Sequence, residues 1–221
     1  MDVYEAVQSR RATRVFSDKP VPRETLERVM AAATRAPSSA NFQPWRAFVV
    51  TGDPLAELKE RVSARVQAGD MGEGPQYQIY PTEIVSPYRD RQIAAAMQMY
   101  PVVGVDRDDP DKTQKLAVIN ANAFGAPVAM FFYLDKTMPS GQWADLGMYL
   151  QTVMLLLRAE GLHSCAQVFW TLFHPDVAKT VGADDGLVQL CGLAVGFEAE
   201  GAPQVQTVRA DMAETVSFID R

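Results

Sequence analysis

Apolar residues recur at helical spacing in two early segments of the chain. The first spans residues 2–9, with Asp2 as a helix cap, and the second begins near Pro22 and ends before Pro37. The aromatic and β-branched run at 45–50, punctuated by Gly52, predicts a strand. A third helix, closed by Gly69, follows that strand. Its apolar positions are Leu55, Leu58, Val62 and Val66.

The second half alternates between helical and strand patterns. We predict a helix at about 111–124, a strand at 128–134, and a long helix from Gln142. Strands at 164–170 and 187–197 then flank a short helix that Pro175 starts. This alternation predicts an α/β or α+β sandwich. We expect one domain over residues 1–221, in which 198–221 forms an extended C-terminal arm with a short helix.

Two segments depart from simple patterns. Residues 70–91 show no clear periodicity, and a long connection of this kind is often functional, so we expect it near a substrate. The helix from Gln142 is apolar nearly all round and must be covered on every side. The pattern leaves open whether it lies at the centre of one protomer or in the core of a dimer. Its apolar residues are Leu146, Met148, Tyr149, Leu150, Val153, Met154, Leu155, Leu156 and Leu157.

Composition excludes several classes of protein. The net charge of -6 and the absence of a basic run argue against nucleic-acid binding. No apolar stretch is long enough to span a membrane, and the N-terminus lacks the pattern of a signal peptide. Two isolated cysteines fit a reduced, cytoplasmic compartment. With two histidines and no cysteine cluster, we predict no metal site.

Two polar clusters carry candidate chemistry. Arg10, Arg11 and Arg14 follow the first helix within five positions, and guanidinium groups bind phosphate bidentately. A solvated basic turn is the competing interpretation of three scattered arginines. Residues 37–45, with the sequence Pro-Ser-Ser-Ala-Asn-Phe-Gln-Pro-Trp, supply hydroxyl and amide groups that suit the edge of a flat heterocycle. Ordinary loop chemistry favours the same residue types.

The order of these motifs resembles the FMN-dependent nitroreductase family. Arg-Arg-x-x-Arg-x-Phe precedes Pro-Ser-Ser-x-Asn-x-Gln-Pro-Trp by about two dozen residues, and the similarity continues through 122–127, 141–151 and 161–165. The segments 86–91 and 142–148 are similar to the nitrobenzoate reductase branch. The resemblance implies an α+β three-layer sandwich with a central, mainly antiparallel sheet flanked by helices. It also implies an intertwined homodimer with FMN in the subunit interface, which favours dimer burial of the apolar helix.

The resemblance also implies roles for individual residues. The N-terminal arginines would reach the phosphate, the ribityl chain and the pyrimidine edge of the flavin, and Arg209 of the arm would be a second phosphate ligand. The polar loop of the partner subunit would contact FMN. Asn120 and Asn122 are alternatives for the pyrimidine edge, and the backbone at 168–169 would approach flavin N5. Ala12 stands where many relatives carry serine. The implied cofactor-binding set is Arg10, Arg11, Ala12, Arg14, Pro37, Ser38, Ser39, Asn41, Gln43, Asn122, Val168, Phe169 and Arg209.

The implied activity is a ping-pong, two-electron reduction of nitroaromatic compounds, in which NADH or NADPH gives a hydride to the flavin before the acceptor binds. The branch resemblance implies nitrobenzoate-like acceptors. The flavin carries the hydride chemistry, so no catalytic side chain is expected. Quinone or ene reduction, reductive dehalogenation and non-catalytic flavin binding are alternatives on the same scaffold. Arg89 or Arg91 would meet a substrate carboxylate. Candidates to line the acceptor pocket are Phe42, Tyr88, Phe124 and Trp170.

Overall fold

The computed structural model describes residues 1–220, which form four strands and eight α-helices. The strands are β1 (Trp45–Thr51), β2 (Val128–Asp135), β3 (His163–Gln167) and β4 (Leu187–Gly196). The helices are α1 (Val3–Ser9), α2 (Arg23–Ala33), α3 (Gly52–Gln67), α4 (Tyr88–Val102), α5 (Lys112–Ala121), α6 (Ser140–Ala159), α7 (His174–Val181) and α8 (Met212–Thr215). Short 3-10 turns lie at Ser39–Asn41, Ala123–Gly125 and Val168–Thr171.

The four strands form one antiparallel sheet in the order β1-β2-β4-β3. Trp45 lies opposite Leu134 at one end of the β1–β2 pair, and Thr51 lies opposite Val128 at the other. β4, the longest strand, pairs with β2 on one side and β3 on the other. The expected α+β class with a central antiparallel sheet is therefore confirmed.

Side chains of the buried strand β2 alternate between two separate cores. Those of Val128, Met130 and Phe132 pack toward α2 and α6, whereas those of Phe131 and Tyr133 pack toward α3, α5 and α7. Successive side chains of a strand point to opposite faces of its sheet, so a strand that is apolar throughout must be covered on both faces. The result is the three-layer sandwich that the sequence predicts.

Most predicted elements are confirmed. Asp2 caps α1 by accepting a hydrogen bond from the backbone N–H of Glu5, whose carboxylate accepts one in return from the N–H of Asp2. Helices α2, α3, α6 and α7 and strands β1, β2 and β4 lie within a few residues of their predicted bounds. The described part of the terminal arm, residues 198–220, is extended and carries the short helix α8, and the last residue of the predicted arm, Arg221, lies outside the described residues.

Three predictions about individual elements were wrong. The aperiodic connection ends at Pro87, because residues 88–102 form α4, a helix that buries no side chain and so lacks an apolar stripe. The helix expected to reach residue 124 ends at Ala121, since Ala123 and Phe124 adopt positive φ angles. The strand expected at 164–170 ends at Gln167, where the chain curls into a 3-10 turn that buries Trp170.

Helix α6 is covered on one side only within the protomer. Leu146, Tyr149, Val153 and Leu157 are buried, whereas Met148 retains 40% of its exposure. Ala144 and Gly147 are exposed on the same side as Met148. Among residues 1–220, no helix is both long and apolar enough to cross a membrane.

Candidate functional site: an arginine-lined pocket and a strained polar loop

Four arginines converge on one cavity between α1, α6 and the C-terminal arm. The cavity has a volume of about 380 Å³. We call it the arginine pocket. Its lining contains no carboxylate, and it is formed by Val7, Gln8, Arg10, Arg11, Ala12, Arg14, Gln151, Val205, Gln206, Thr207 and Arg209. The tertiary structure thus brings the N-terminal arginines and Arg209 together, although almost two hundred residues separate them in sequence.

The N-terminal arginines lie on a segment that is tied to the sheet by backbone hydrogen bonds. The N–H of Thr13 donates to the carbonyl of Ser164 (3.2 Å), and the N–H of Ser17 donates to the carbonyl of Phe197 (2.9 Å). Bridge pairing of Ala12 with Ser164 and of Phe16 with Glu198 completes these ties. Two points of attachment to the sheet fix where the arginine side chains start.

Three of the pocket arginines have no acidic partner within residues 1–220. Arg10 and Arg14 are half-buried, and Arg209 is exposed. The guanidinium of Arg14 donates to the carbonyl of Ala12 (3.3 Å) and lies 6.0 Å from the ring centre of Phe124. Such concentrated positive charge without a carboxylate favours an anionic ligand.

Arg11 differs from its neighbours because its guanidinium forms an ion pair with the carboxylate of Glu198. The side chains retain only 19% and 15% of their exposure, so the pair is largely shielded from solvent. Sequence reasoning predicted Arg11 as a flavin ligand alongside Arg10 and Arg14. That role stays a prediction, since Arg11 lines the pocket but already holds a counter-ion.

The titratable groups behind the arginine segment are held neutral. Burial and the nearby Arg158 guanidinium lower the pKa of His163 to about 4. Its Nδ1 lies 3.2 Å from the hydroxyl of Thr13. Burial raises the pKa of the Cys165 thiol to about 11. The positive charge near the pocket therefore comes from arginine alone at neutral pH.

The polar loop, residues 37–43, is held in a strained conformation. Ala40, Asn41 and Gln43 have φ angles of 48°, 58° and 48°, which non-glycine residues rarely adopt. Each such residue costs about 1–3 kcal/mol, and strain of this kind clusters at functional sites. The N–H of Gln43 donates to the hydroxyl of Ser38 (2.9 Å), and the Gln43 side chain donates to the carbonyl of Asn41 (2.9 Å).

The polar loop is anchored to α6 through a buried carboxylate. The N–H of Ser39 donates to Oδ1 of Asp145 (3.1 Å), and Asp145 is 2% exposed. Its other oxygen has no partner within residues 1–220. Pro37, Ser39 and Asn41 remain exposed and Ser38 is half-buried, so their polar groups stay accessible.

The two candidate asparagines have different surroundings. The side-chain amide of Asn120 donates to the carbonyl of Leu116 (2.8 Å), and its Oδ1 accepts from Nε2 of Gln167 (3.0 Å). Asn122 is exposed at the end of α5, and its side chain makes no hydrogen bond within residues 1–220. Asn122 is thus the one whose amide is available to a ligand, in line with its place in the implied set.

Val168 and Phe169 begin the 3-10 turn that follows β3. The first N–H groups of a helical turn have no partner inside it, so they are available to a ligand. Gln167 fixes the turn, because its Oε1 accepts from the indole of Trp170 (3.1 Å) while its Nε2 donates to Asn120. Val168 is 37% exposed.

The predicted acceptor-pocket residues do not line one cavity in a single protomer. Phe42 is exposed on the polar loop, Phe124 lies beside Arg14, and Tyr88 lines a separate apolar groove of about 490 Å³ formed by residues 80–92. The suggestion that Trp170 lines the pocket was wrong, because its ring is fully buried against Phe131. Arg91 pairs with Glu214 of the arm, whereas Arg89 forms no ion pair within the described chain.

Sequence reasoning missed three residues that hold these groups in place: Asp145, Gln167 and Glu198. Each is a single polar residue next to an apolar run, which resembles ordinary patterning. Asp145 carried the one available signal, since a carboxylate lies there among apolar positions of α6. None of the polar-loop residues lines the arginine pocket, so the protomer presents two separate halves of the predicted site.

An antiparallel sheet covered by helices on both faces, with an arginine pocket on one side, defines an α+β protein with a cavity whose charge is complementary to an anion. The family model described as "Nitroreductase family" matches residues 7–197. The chain belongs to the nitroreductase family.

Comparisons with individual proteins agree with this assignment. The chain is 31% identical to a 4-nitrobenzoate reductase of Pseudomonas putida over 91% of this chain and 87% of that protein. It is 29% identical to a nitrobenzene nitroreductase of Ectopseudomonas oleovorans over 98% of this chain and 96% of that one. The crystal structure of the FMN- and NADPH-dependent nitroreductase NfnB from sphigopyxis sp. strain HMH matches with a TM-score of 0.94 and 37% identity over 100% of both chains.

Proposed function

We propose that this protein is an FMN-dependent oxidoreductase that uses NAD(P)H to reduce nitroaromatic compounds. The observation that carries the proposal is the arginine pocket on a nitroreductase fold, in which Arg10, Arg14 and Arg209 have no acidic partner within residues 1–220. The names of the relatives support the cofactor, the donor and the acceptor class, since NfnB of sphigopyxis is FMN- and NADPH-dependent and the curated relatives reduce nitrobenzene and nitrobenzoate. We propose one domain, with 198–221 as its arm.

The residues of the pocket fit the phosphate end of FMN. Guanidinium groups are planar donors that match phosphate oxygens, and no carboxylate lines the cavity to compete with them. When bound, FMN supplies hydride transfer between a nicotinamide donor and an acceptor. The residues of this chain would bind and orient the cofactor. The arginines would hold the phosphate, the polar loop and Asn122 would hydrogen-bond the ring edges, and the backbone N–H groups at 168–169 would be available to the reactive edge.

Anaerobic titration tests the function directly. We expect the purified protein to carry a yellow flavin absorbance that NADPH or NADH bleaches, because the donor reduces the bound cofactor. Addition of 4-nitrobenzoate or nitrobenzene should then restore the absorbance. A protein whose flavin is not bleached by either donor contradicts the oxidoreductase proposal, and one that is bleached but reoxidised only by quinones contradicts the acceptor class.

We further propose that the complete site needs two subunits. Within one chain the polar loop contacts α6 at Asp145, whereas the arginine pocket contacts α6 at Gln151. These positions lie three residues on either side of Met148, the exposed apolar residue of the uncovered face. If two α6 helices cross antiparallel with a two-fold axis near Met148, Asp145 of the partner subunit lies level with Gln151. The partner's polar loop then faces the arginine pocket.

An acidic substitution on the uncovered face of α6 tests this arrangement. Met148→Asp should convert the dimer to a monomer and lower the FMN content of the purified protein, because it places a charge in an apolar interface. Met71→Asp is the matched control, since both methionines are 40% exposed and Met71 lies outside α6. Sedimentation velocity and the ratio of flavin to protein absorbance give the two readouts. A Met148→Asp protein that stays dimeric contradicts the proposed axis.

Both cysteines are free and buried, which fits the proposed cytoplasmic compartment.

A further inference from the structure

The extended segment 10–14 presents two chemically different faces. Arg10, Ala12 and Arg14 line the arginine pocket, and Arg11 also lines it but pairs its guanidinium with Glu198. Thr13 is 3% exposed and points away from it, toward His163 and Glu198. Alternation of this kind is the normal consequence of an extended backbone. The groups that hold the segment, the hydroxyl of Thr13 and the paired guanidinium of Arg11, are therefore different from the guanidinium groups of Arg10 and Arg14, which have no acidic partner within residues 1–220.

Glu198 is the residue that engages the inner face of this segment. One of its carboxylate oxygens pairs with the guanidinium of Arg11, and the other accepts a hydrogen bond from the hydroxyl of Thr13 (3.3 Å). A single carboxylate thus holds both residues that alternate with Arg10, Ala12 and Arg14 in the sequence. No other side chain within residues 1–220 forms a hydrogen bond or ion pair with Arg11.

Glu198 is itself fixed by the centre of the fold. It follows β4 by two residues, and β4 lies between β2 and β3 in the sheet. Its backbone pairs with Phe16, and the N–H of the next residue, Ala199, donates to the carbonyl of Val15 (3.1 Å). The carboxylate is therefore carried by a rigid element, which is what a residue that positions others requires.

The surroundings of Glu198 contain a second guanidinium. Arg158 lies near Arg11 and Glu198, donates to the carbonyl of Leu162 (2.9 Å) and reaches the hydroxyl of Ser9 (3.3 Å) at the end of α1. Glu198 pairs with Arg11 and is an anion near Arg158, and both cations are partly buried. Without it, Arg11 and Arg158 repel each other in a region of low solvent access, and the segment that carries Arg10 and Arg14 loses its anchor.

We propose that Glu198 is a positioning residue for the phosphate site, which holds Arg11 and Thr13 from behind so that Arg10 and Arg14 face the ligand. The inference rests on the proposed FMN function. It predicts that loss of the Glu198 carboxylate changes phosphate affinity in the direction opposite to that expected from charge alone. Removal of a negative charge beside the pocket would by itself strengthen phosphate binding, and it would also release Arg11 as a further ligand. If Glu198 positions the segment, its loss weakens phosphate binding instead.

Comparison of FMN with riboflavin isolates the phosphate. The two flavins share the ring and the ribityl chain, so the ratio of their dissociation constants reports the phosphate contacts. Glu198→Gln should reduce the preference for FMN over riboflavin by about tenfold. This is the lower end of the affinity loss found when the hydrogen-bond partner of a metal-ligating side chain is mutated. A merely structural loss of stability lowers both affinities together and leaves the ratio unchanged.

Glu200→Gln is the matched control, since Glu200 is exposed two residues away and forms no ion pair within the described chain. Thr13→Val is the second variant, and it decides the matter if Glu198→Gln does not fold. It keeps the charge and removes only the hydroxyl, so the FMN preference should fall several-fold, as expected for one hydrogen bond. Quenching of flavin fluorescence on addition of the apoprotein measures the dissociation constants of FMN and riboflavin for every variant.

The outcomes separate the two proposals. An unchanged or increased preference for FMN in Glu198→Gln overturns the positioning role, as does an unchanged preference in Thr13→Val when Glu198→Gln is unfolded. A wild-type protein that binds neither flavin overturns the proposed function and this inference together. A wild-type preference for FMN that is reduced in Glu198→Gln and Thr13→Val, and unchanged in Glu200→Gln, supports both proposals.

Discussion

Replacement of Arg10 and Arg14 together by alanine is expected to weaken FMN binding by about two to four orders of magnitude. A hydrogen bond to a charged group contributes about 1.5–3 kcal/mol, and each factor of ten in affinity corresponds to about 1.4 kcal/mol. The two arginines line the same pocket and have no acidic partner among the described residues, so no carboxylate neutralises their charge there. Titration of the apoprotein with FMN, followed by flavin fluorescence, measures the loss.

The control for this prediction removes two positive charges at sites outside the arginine pocket. Arg107 and Lys179 are exposed and lie outside the pocket lining, so Arg107→Ala with Lys179→Ala lowers the net charge equally. We expect that control to bind FMN nearly as the wild type does. The salt dependence adds a second readout, because binding to the wild type should weaken more steeply with ionic strength than binding to the arginine variant. Equal affinities for the two double variants contradict the assignment of the phosphate site.

Trp170→Ala is expected to destabilise the fold by about 3–5 kcal/mol, the usual cost of truncating a fully buried large aromatic residue. The ring is 0% exposed and packs edge-to-face on Phe131 and Phe169, with centroid distances of 5.6 Å in both cases. A β-carbon on Gly192 would lie 2.4 Å from the indole, which shows how closely the sheet approaches this side chain. Urea denaturation at fixed protein and flavin concentrations measures the change.

Trp143→Ala is the appropriate control for size and chemistry. Like Trp170, Trp143 donates its indole N–H, in this case to the carbonyl of Met138 (3.3 Å), and packs edge-to-face on another aromatic ring, that of Tyr77. It is only partly buried, so its truncation should cost clearly less. Because Trp170 anchors the turn of Val168 and Phe169 through Gln167, its loss should also lower flavin affinity. Equal destabilisation by the two substitutions contradicts this account of the Trp170 core.

The spacing of apolar residues correctly predicted the helices and strands that bury at least one face in the core. The apolar stripe of α3 and the uninterrupted apolar run of β2 gave the correct element types and nearly correct bounds. A helix with one buried face has apolar residues at a period of 3.6, and a strand buried on both faces is apolar throughout. Helix α4 was missed because it buries no residue, and local pattern then carries no information about it. The turn after β3 was misread as strand because Trp170 and Phe169 are strand-forming residues whose burial requires the chain to curl.

The candidate site was predictable in part. The order of the arginine and polar-loop motifs indicated the family, and the arginine pocket unites Arg10, Arg14 and Arg209 as the resemblance implied. The choice between Asn120 and Asn122 could not be made from the sequence, because it depends on whether Gln167 lies within hydrogen-bonding distance. The ion pair of Arg11 with Glu198 was equally inaccessible, since 187 residues separate the two partners.

The sequence by itself determined the alternation of helices and strands, the buried positions of elements with a clear apolar stripe, and the presence of clustered arginine and amide side chains. These properties are local, since they follow from side-chain chemistry and backbone period. Only the tertiary structure decided that Arg11 faces a carboxylate while Arg10 and Arg14 face a cavity, and that α6 leaves one side uncovered. Such outcomes depend on which distant segments lie in contact, and the sheet order β1-β2-β4-β3 sets those contacts.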